Sequence, residues 1–321
     1  MYLTMNTNFN TYECVEKVNV SNLKRIIAHV RKKPELMKDP DVISQFKLLK
    51  NIERRSKDTG QYTVQFFLKD TVLPNKALGR LYPKRQQGSL QNMPRKYRKP
   101  LTYEIYTDVD IKNAHPSLIN QVLKRENIVC KTLNEYCGNR DSFTNVANKE
   151  EWTAILFGRV PKETASDLER RYYDDVMESA KKLFAKEDYR DYYELGLTRL
   201  TRRGRYNPLG YAMSALATDC ERMCVGASIK KLKELGYEVG TLIHDGFLVE
   251  HLNIKDEDLR EAEKSTKEKT GFSIELVRKP LNDFDPVEAY GEAPEDGTVE
   301  EELGDRGNAK LFYEYMEGEG H

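Results

Sequence analysis

The chain has 321 residues, of which 39% are hydrophobic and 32% charged, so it can bury a full core in one or two domains of a globular protein. It has no apolar run of about 18 residues, and residues 1–20 lack a basic head followed by an apolar stretch, so neither a membrane span nor a secretory signal is expected. Five cysteines without C-x-x-C pairing predict buried free thiols, rather than a zinc site, in a cytoplasmic or other intracellular reducing compartment.

The net charge of zero conceals an uneven distribution. Residues 292–321 hold ten acidic and two basic residues, a net charge of −8, so residues 1–291 carry +8. Residues 79–99 hold seven basic residues and no acidic one, whereas a merely solvated face usually mixes both signs. The basic body therefore favours a partner with a phosphate backbone.

The first part of the chain alternates helical and strand-like patterns. Apolar residues at helical spacing predict amphipathic helices at residues 22–30 and 42–52, both with basic outer faces. The segments Gln61–Lys69 and Leu101–Asp110 have the apolar, β-prone character of strands. Pro116 then begins a helix that extends to about residue 124, because proline at the first helical position costs no hydrogen bond.

The second part is predicted to be mainly helical, with one hairpin and one last strand. The Asp245-Gly246 dipeptide favours a tight turn between the two strands of the hairpin. Beyond Asp285 the acidic, glycine-containing composition predicts a flexible tail. The predicted helices are residues 140–200 with short breaks, Met213–Leu235 and 259–269; the predicted strands lie in Gly240–Glu250 and 272–277.

Aspartates terminate two of these β-prone segments, 135 residues apart, at Asp110 and Asp245. Two strand-end carboxylates from distant sequence can share a pair of divalent cations, which is what in-line phosphoryl transfer to a nucleic acid requires. Asp108 has the same strand parity as Asp110, so the two face the same side. The plainer alternatives are a helix cap for Asp110 and an ordinary hairpin turn for Asp245.

Further motifs surround the two aspartates in a fixed order. Arg80 in a G-R-L triplet precedes a Leu90-Gln-Asn-Met-Pro94 segment; then follow Asp110 with His115, Lys149 with Phe157-Gly158, and His244-Asp245-Gly246. Over residues 79–250 this order resembles the G-R-L…L-Q-N-I-P, D-Y-S-Q-I-E, K-x3-F-G-x2-Y-G and H-D-E motifs of family A DNA polymerases, the DNA polymerase I family. The helix from residue 213 also resembles the Q-G-T-A-A-D helix of that family, with Ser214 in place of glutamine.

The resemblance implies roles for particular residues. Asp110 and Asp245 are implied to be catalytic aspartates that bind two Mg²⁺ ions, with Mn²⁺ as a substitute and Asp108 as a further ligand or a supporting group. Lys149 is implied to be catalytic and to meet the incoming triphosphate, and Phe157 to stack beside the templating base pair. The residues implied to contact the DNA template-primer, or suited to it by charge, are Arg80, Gln91, Asn92, Arg95, Lys96, Arg98 and His244.

The chain also departs from the family pattern around the nucleotide. His115 occupies the position that screens the sugar 2′ carbon, where the family has glutamate, so His115→Glu is predicted to sharpen sugar discrimination. The family's arginine before the lysine is Asn145 here and its +4 aromatic is Thr153, so Arg140 or Arg159 would compensate. Gly246 replaces the glutamate of H-D-E, as in phage single-subunit RNA polymerases, which also lack it.

The implied fold is α+β, a right-hand polymerase with an antiparallel palm sheet, helical fingers and a reduced helical thumb. Residues 1–78 would form the thumb-like region, 79–290 the palm and fingers, and 291–321 the acidic flexible tail. The implied activity is primer extension with dNTPs by two-metal-ion catalysis, without a proofreading domain.

Two other functions remain open from the sequence. The first is an RNA-synthesising or primase-like enzyme of the same fold, because His115 and Phe157 depart from the family pattern at positions that discriminate between sugars. A non-catalytic nucleic-acid-binding protein on a decayed polymerase scaffold is the second, and it explains the altered positions Asn145 and Thr153. The acidic tail is either a solvated spacer or, through the aromatic patch at residues 311–316, a docking segment for a protein partner or for the basic groove itself.

Overall fold

Two antiparallel sheets and one long buried helix organise the part of the chain that the computed structural model describes, residues 9–68, 78–84, 87–203, 207–250, 252–279, 281 and 286–291. This combination of helices with antiparallel sheets agrees with the α+β class predicted from the sequence. The acidic tail at residues 292–321 and both interpretations of it lie outside the described residues.

The first sheet has the order β1-β2-β3, with β1 at Thr11–Lys17, β2 at Gln61–Leu68 and β3 at Leu81–Pro83. Helices α1 (Val20–Arg31) and α2 (Pro40–Ser56) connect β1 to β2, close to the two helices predicted there. The sequence analysis did not predict β1. Its buried face carries Glu16, and a charged residue at a core position hides the alternation that identifies a half-buried strand.

The second sheet has the order β5-β6-β4-β7, and all its neighbours are antiparallel. Strand β4 begins only at Thr107, because the first residues of the predicted strand at 101–110 belong to helix α3 (Arg95–Thr102), which buries Tyr97 and Leu101. The last strand likewise begins later than predicted. The strands are β4 (Thr107–Ile111), β5 (Val239–Ile243), β6 (Gly246–Val249) and β7 (Leu276–Lys279).

Four of the remaining helices make the main helical contacts with α10 (Pro208–Glu234), which is buried on nearly all sides from Gly210 to Leu232. This helix begins five residues before the predicted start, because the Asn207 side chain accepts hydrogen bonds from the first-turn amides and Pro208 follows it. The others are α4 (Ala114–Arg125), α5 (Lys131–Gly138), α6 (Arg140–Thr144), α7 (Lys149–Leu156), α8 (Asp167–Phe184), α9 (Arg190–Arg203), α11 (Asp256–Thr270) and α12 (Pro286–Tyr290).

Two expectations from composition can be compared directly with these elements. All five cysteines are free thiols, and four of them, including Cys220 and Cys224 on α10, are buried, as predicted. Within the described ranges, no helix combines the length and the apolar character that crossing a bilayer requires.

The buried carboxylate of Glu16 joins the two sheets. It accepts hydrogen bonds from the Tyr62 hydroxyl and the Ser89 hydroxyl, each at 2.5 Å, and from the Leu90 amide at 2.9 Å. Ser89 in turn lies 3.4 Å from the hydroxyl of Thr241 on β5. Burial raises the pKa of Glu16, so these donors compensate for a costly desolvation. The contact fixes the turn at Leu90–Asn92 between the sheets.

Helices α5 to α8 are held together by an aromatic cluster. Tyr136, Phe143, Trp152 and Tyr172 lie with ring centroids 5.0 to 6.2 Å apart, in tilted and edge-to-face pairs. The indole N–H of Trp152 donates to the Phe143 carbonyl oxygen at 2.9 Å. The aromatic cluster therefore packs against one side of α7 through Trp152, whereas Lys149, the first residue of the helix, is exposed.

Candidate active site

The two aspartates singled out by the sequence are neighbours at one end of the second sheet, Asp110 on β4 and Asp245 in the loop between β5 and β6. Strand β4 pairs with β6 so that Asp110 is opposite Gly246, and the Ile111 amide donates to the main-chain carbonyl oxygen of Asp245 at 3.0 Å. The loop of the hairpin is His244-Asp245, with His244 in the left-handed region at φ +52°. Residues 135 positions apart in sequence are thus neighbours at one end of the sheet.

Close packing against β4, rather than the geometry of the turn, requires a glycine at position 246. The sequence analysis assigned it to a tight turn, but the turn consists of the two preceding residues, and the φ of Gly246 is not left-handed. A Cβ atom at this position would lie well inside van der Waals contact with Asp110 Oδ1 and with the Val109 carbonyl oxygen. The carboxyl group of Asp110 therefore occupies the volume that any side chain at position 246, glutamate included, would need.

A cationic group faces the two aspartates of β4. Asp108 and Asp110 are each 4% exposed, and both interact with Lys279 of the neighbouring strand β7, which forms an ion pair with Asp110. Burial raises the pKa of Asp108, and the positive charges of Arg98, Lys279 and Arg95 oppose that shift. The parity argument that placed both aspartates on one side agrees with this arrangement.

The donor set suits a divalent cation that prefers oxygen. No group of three or more His, Cys, Asp or Glu side chains gathers into a ready metal site within the described residues. However, Asp108 Oδ1 is buried without a hydrogen-bond partner there, and Asp245 is close enough to raise the pKa of Asp108. Carboxylate oxygens are the ligands that Mg²⁺ prefers. The chemistry of Asp108, Asp110 and Asp245 thus matches the ligand preference of Mg²⁺, but the three carboxylates are not gathered around one point in the described residues, and the Lys279 ammonium pairs with Asp110.

Glu221 is a site residue that the sequence analysis missed. It lies on α10, is 1% exposed, and accepts hydrogen bonds from Arg80 Nε and Nη2, both at 2.8 Å. His115 Nε2 lies 2.7 Å from the same carboxylate, and Arg80 Nη1 lies 3.1 Å from His244 Nδ1. These four residues, here called the Glu221 cluster, come from four distant segments of the chain.

A signal for Glu221 was present in the sequence. The Asp219–Arg222 stretch places three charged residues within the otherwise uncharged part of the helix that precedes Lys230, and charges on a helix buried nearly all round need partners. Asp219 accepts from the Tyr192 hydroxyl at 2.7 Å and from Arg222 at 2.6 Å. Arg222 also donates to the Gly79 carbonyl oxygen at 3.0 Å, which holds the segment that carries Arg80 against α10.

The charges of the Glu221 cluster act on Asp245. Burial alone would raise the pKa of Glu221, but Arg80 and His115 outweigh it and lower that pKa to about 2. Asp245 shows the opposite result, because burial and then the negative charge of Glu221 raise its pKa. Asp245 thus lies near other carboxylates with different charge partners. Glu221 is neutralised by Arg80 and His115, whereas Asp108 and Asp110 on β4 both interact with Lys279.

The residues predicted to bind the nucleotide are brought together only in part. Phe157 ends α7 with its ring 5.3 Å from the His115 ring, in an edge-to-face contact. Lys149 begins the same helix about 12 Å away by helical rise and is exposed. Arg159 pairs with Glu151, and Arg140 lies beside Tyr136 at the aromatic cluster.

The end of α7 is closely packed against the start of α10. The Asn207 side chain donates to the Gly158 carbonyl oxygen at 3.2 Å. Gly210 lies so close to the Phe157 carbonyl group that a Cβ atom would have no room. This contact fixes the position of Phe157 relative to the helix that carries Glu221.

The residues predicted to contact nucleic acid differ in exposure. Asn92, Arg95 and Lys96 are exposed on and before α3, and the Lys96 ammonium lies 4.8 Å from the centroid of the Tyr97 ring. Gln91 differs from the expectation, because it is 5% exposed and its Nε2 donates to the Leu81 carbonyl oxygen at 3.3 Å. The structure therefore presents Asn92, rather than Gln91, at the surface.

Comparisons with known proteins give distant similarities. No family model matches the chain. A protein of Sputnik virophage named "Putative helicase V13" is 24% identical over 295 residues, which cover 84% of this chain and 36% of that protein, so the chain spans about a third of the relative's length. Among solved structures, the POL domain of Pol1 from M. smegmatis, in complex with DNA primer-template and dNTP, has a TM-score of 0.37 and 15% identity over 74% of this chain and 50% of that chain.

Replacing Gly246 by alanine tests the close packing of Asp110. We expect Gly246→Ala to lower the free energy of unfolding by about 1–3 kcal/mol, because the added methyl group must displace Asp110 or the β4 backbone. Gly138→Ala is the matched control, since a Cβ atom there meets nothing within 4 Å. Urea unfolding measures both, and equal stability of Gly246→Ala and the wild type would contradict the packing argument.

The acid stability of Glu221→Gln tests the charge pairing of the Glu221 cluster. The folded-state pKa of about 2 is below the ordinary glutamate value of 4.5, so Glu221 contributes stability above pH 4.5, and that contribution is lost as pH falls towards 2. We expect Glu221→Gln to lose about 3 kcal/mol at neutral pH and to approach the wild type in acid. Unfolding curves at several pH values measure this, and a difference that is constant with pH would contradict it.

Proposed function

We propose that the chain is a template-directed nucleotidyltransferase of the family A polymerase type, which extends a primer 3′-hydroxyl with dNTPs. The observation that carries this proposal is the pairing of β4 with β6, which makes Asp110 and Asp245 neighbours. A basic flank supports it, because Arg95 and Arg98 lie beside the carboxylates, where a phosphate backbone would be attracted.

The proposed layout assigns each structural group to one part of a right hand. The second sheet would be the palm, helices α5 to α8 the fingers, and the basic helices α1 and α2 the reduced thumb. The corresponding ranges are residues 79–290 for palm and fingers and 1–78 for the thumb-like region, with an acidic tail from 291 onward.

Two Mg²⁺ ions, or Mn²⁺ in their place, are the proposed cofactors, and Asp110 and Asp245 would hold them with Asp108 as a further ligand or a supporting group. When bound, such ions lower the pKa of the primer 3′-hydroxyl and stabilise the charge of the triphosphate and of the leaving pyrophosphate. Until then Lys279 compensates the charge of Asp110.

The side chains of the chain itself would bind and orient the nucleotide. Lys149 would neutralise charge on the triphosphate, a contribution of about 2–4 kcal/mol by analogy with other positioned donors. His115 and Phe157, which are in ring contact, would lie against the sugar and the base. Arg140 and Arg159 are weaker candidates, since one lies beside Tyr136 and the other pairs with Glu151.

Two alternative functions are distinguished from this proposal by experiment. An RNA-synthesising or primase-like enzyme would use the same site with NTPs. A non-catalytic nucleic-acid-binding protein would need no carboxylate pair beside phosphates, where the pair is repulsive. The helicase name of the virophage relative finds no counterpart here in a phosphate-binding loop, because the 321 residues contain no G-x-x-x-x-G-K-[ST] motif.

Primer extension with Asp245→Asn tests the proposed catalysis. We expect the wild type to extend a primed template in magnesium and to stop with chelator, and the variant to lose extension while binding DNA equally or more tightly. Asp174→Asn, at an exposed position of α8, is the control and should extend normally. Extension by Asp245→Asn at the wild-type rate would contradict the proposal, and incorporation of NTPs alone would favour the RNA-synthesising alternative.

Replacing Lys279 tests the proposed metal site without relying on activity. We expect Lys279→Met to bind Mn²⁺ about tenfold more tightly, an increase of about 1.4 kcal/mol, because no ammonium competes for Asp110. Lys112→Met removes a lysine of an exposed ion pair with Glu275 and is the control. Calorimetric titration measures the affinities, and equal affinities of Lys279→Met and the wild type would contradict the site.

A further inference from the structure

We propose that Glu221 is a positioning residue for sugar selection, which holds the His115 ring against the nucleotide and supplies the acidic group that the family resemblance places at position 115. This inference rests on the proposed polymerase function for its meaning. Its physical basis, a buried carboxylate that binds a histidine side chain, is independent of that function.

The His115 ring is held from two sides. Its Nε2 lies 2.7 Å from the Glu221 carboxylate, and its ring meets Phe157 edge to face at 5.3 Å. A carboxylate accepts only, so Nε2 must carry the proton that is donated to Glu221. The side chain of His115 is still 20% exposed, so part of the held ring remains accessible to a ligand.

Glu221 is itself immobilised. Arg80 donates to both of its oxygens in a fork at 2.8 Å, and this geometry prevents the carboxylate from rotating. The backbone of Glu221 belongs to α10, which is buried around it, and the side chain is 1% exposed. Arg80 reaches His244, the residue before Asp245, at 3.1 Å. The position of His115 is thus linked to the hairpin loop that carries the proposed metal ligand Asp245.

A held ring can discriminate between sugars where a mobile ring cannot. Rejection of a 2′-hydroxyl, or selection for it, depends on a group that does not move away when the wrong sugar enters. Without Glu221, the His115 ring loses its hydrogen bond at Nε2 and keeps its contact with Phe157, its electrostatic interaction with Asp245 and its main-chain position at the start of α4. The ring then gains rotameric freedom, and either kind of sugar fits.

Single-nucleotide incorporation measures this effect. We expect Glu221→Leu, which leaves His115 no acceptor at this position, to move the ratio of kcat/KM for dNTP and NTP about tenfold towards one, in whichever direction the wild type discriminates. His115→Ala should change the ratio similarly, and the double variant should add nothing to His115→Ala. Glu178→Leu, in an exposed ion pair on α8, should leave the ratio unchanged. A wild-type ratio in Glu221→Leu, or an additive effect in the double variant, would overturn the inference.

The variant His115→Glu distinguishes the inference from the simpler resemblance argument. That argument expects a sharper ratio from this change alone. The structure instead places the new carboxylate beside Glu221, where like charges repel, so we expect a less stable protein with poorer discrimination. The pair His115→Glu with Glu221→Gln should recover stability and discrimination. A sharper ratio in His115→Glu alone would overturn the role of Glu221.

A measurement on the imidazole separates failure of this inference from failure of the polymerase proposal. In nitrogen-detected NMR, we expect His115 of the wild type to have a protonated Nε2 that loses its hydrogen bond in Glu221→Leu, where no acceptor remains at position 221. If the wild type extends no primer but this signal changes, the proposed function is wrong and the positioning contact is correct. If the wild type extends a primer but neither the signal nor the ratio changes, the inference is wrong.

Discussion

The pairing of β4 with β6 at a position without a side chain is the constraint on which the candidate site depends. Asp110 can lie at the end of the sheet only because Gly246 leaves its volume free. In the same register the Ile111 amide donates a hydrogen bond to the main-chain carbonyl oxygen of Asp245, and this bond fixes the hairpin loop beside β4. A shift of one residue would turn Asp110 to the other face, so register and carboxylate placement are one requirement.

Charge balance is the second feature that shapes the site. Three aspartates and Glu221 lie within a region that is largely closed to water, and isolated buried carboxylates are costly. The structure compensates them unequally. Glu221 is saturated by Arg80 and His115, whereas Asp108 keeps an oxygen without a hydrogen-bond partner in the described part of the chain. The carboxylate of Asp108 is therefore better suited to bind a cation than that of Glu221, whose oxygens already accept hydrogen bonds from Arg80 and His115.

The sequence predicted those parts of the fold whose patterns are local. Amphipathic spacing identified α1, α2 and most of α10, and the two strand-end aspartates identified residues that are indeed neighbours. It failed where a charged residue occupies a buried position. Glu16 concealed β1, and Glu221 was overlooked, because their partners come from segments that only the fold brings near. Lys279 was missed for the same reason, since its ion pair with Asp110 depends on the pairing of β7 with β4.

The contact of Gly210 with Phe157 has a mechanical consequence. That junction has no spare volume at the carboxyl end of α7, and the buried Trp152 ring holds the same helix three residues from its other end. Because both ends of this short helix are packed, a tilt of α7 would disrupt one contact or the other. Lys149 therefore reaches a ligand through the rotamers of its own side chain and not through a swing of the helix.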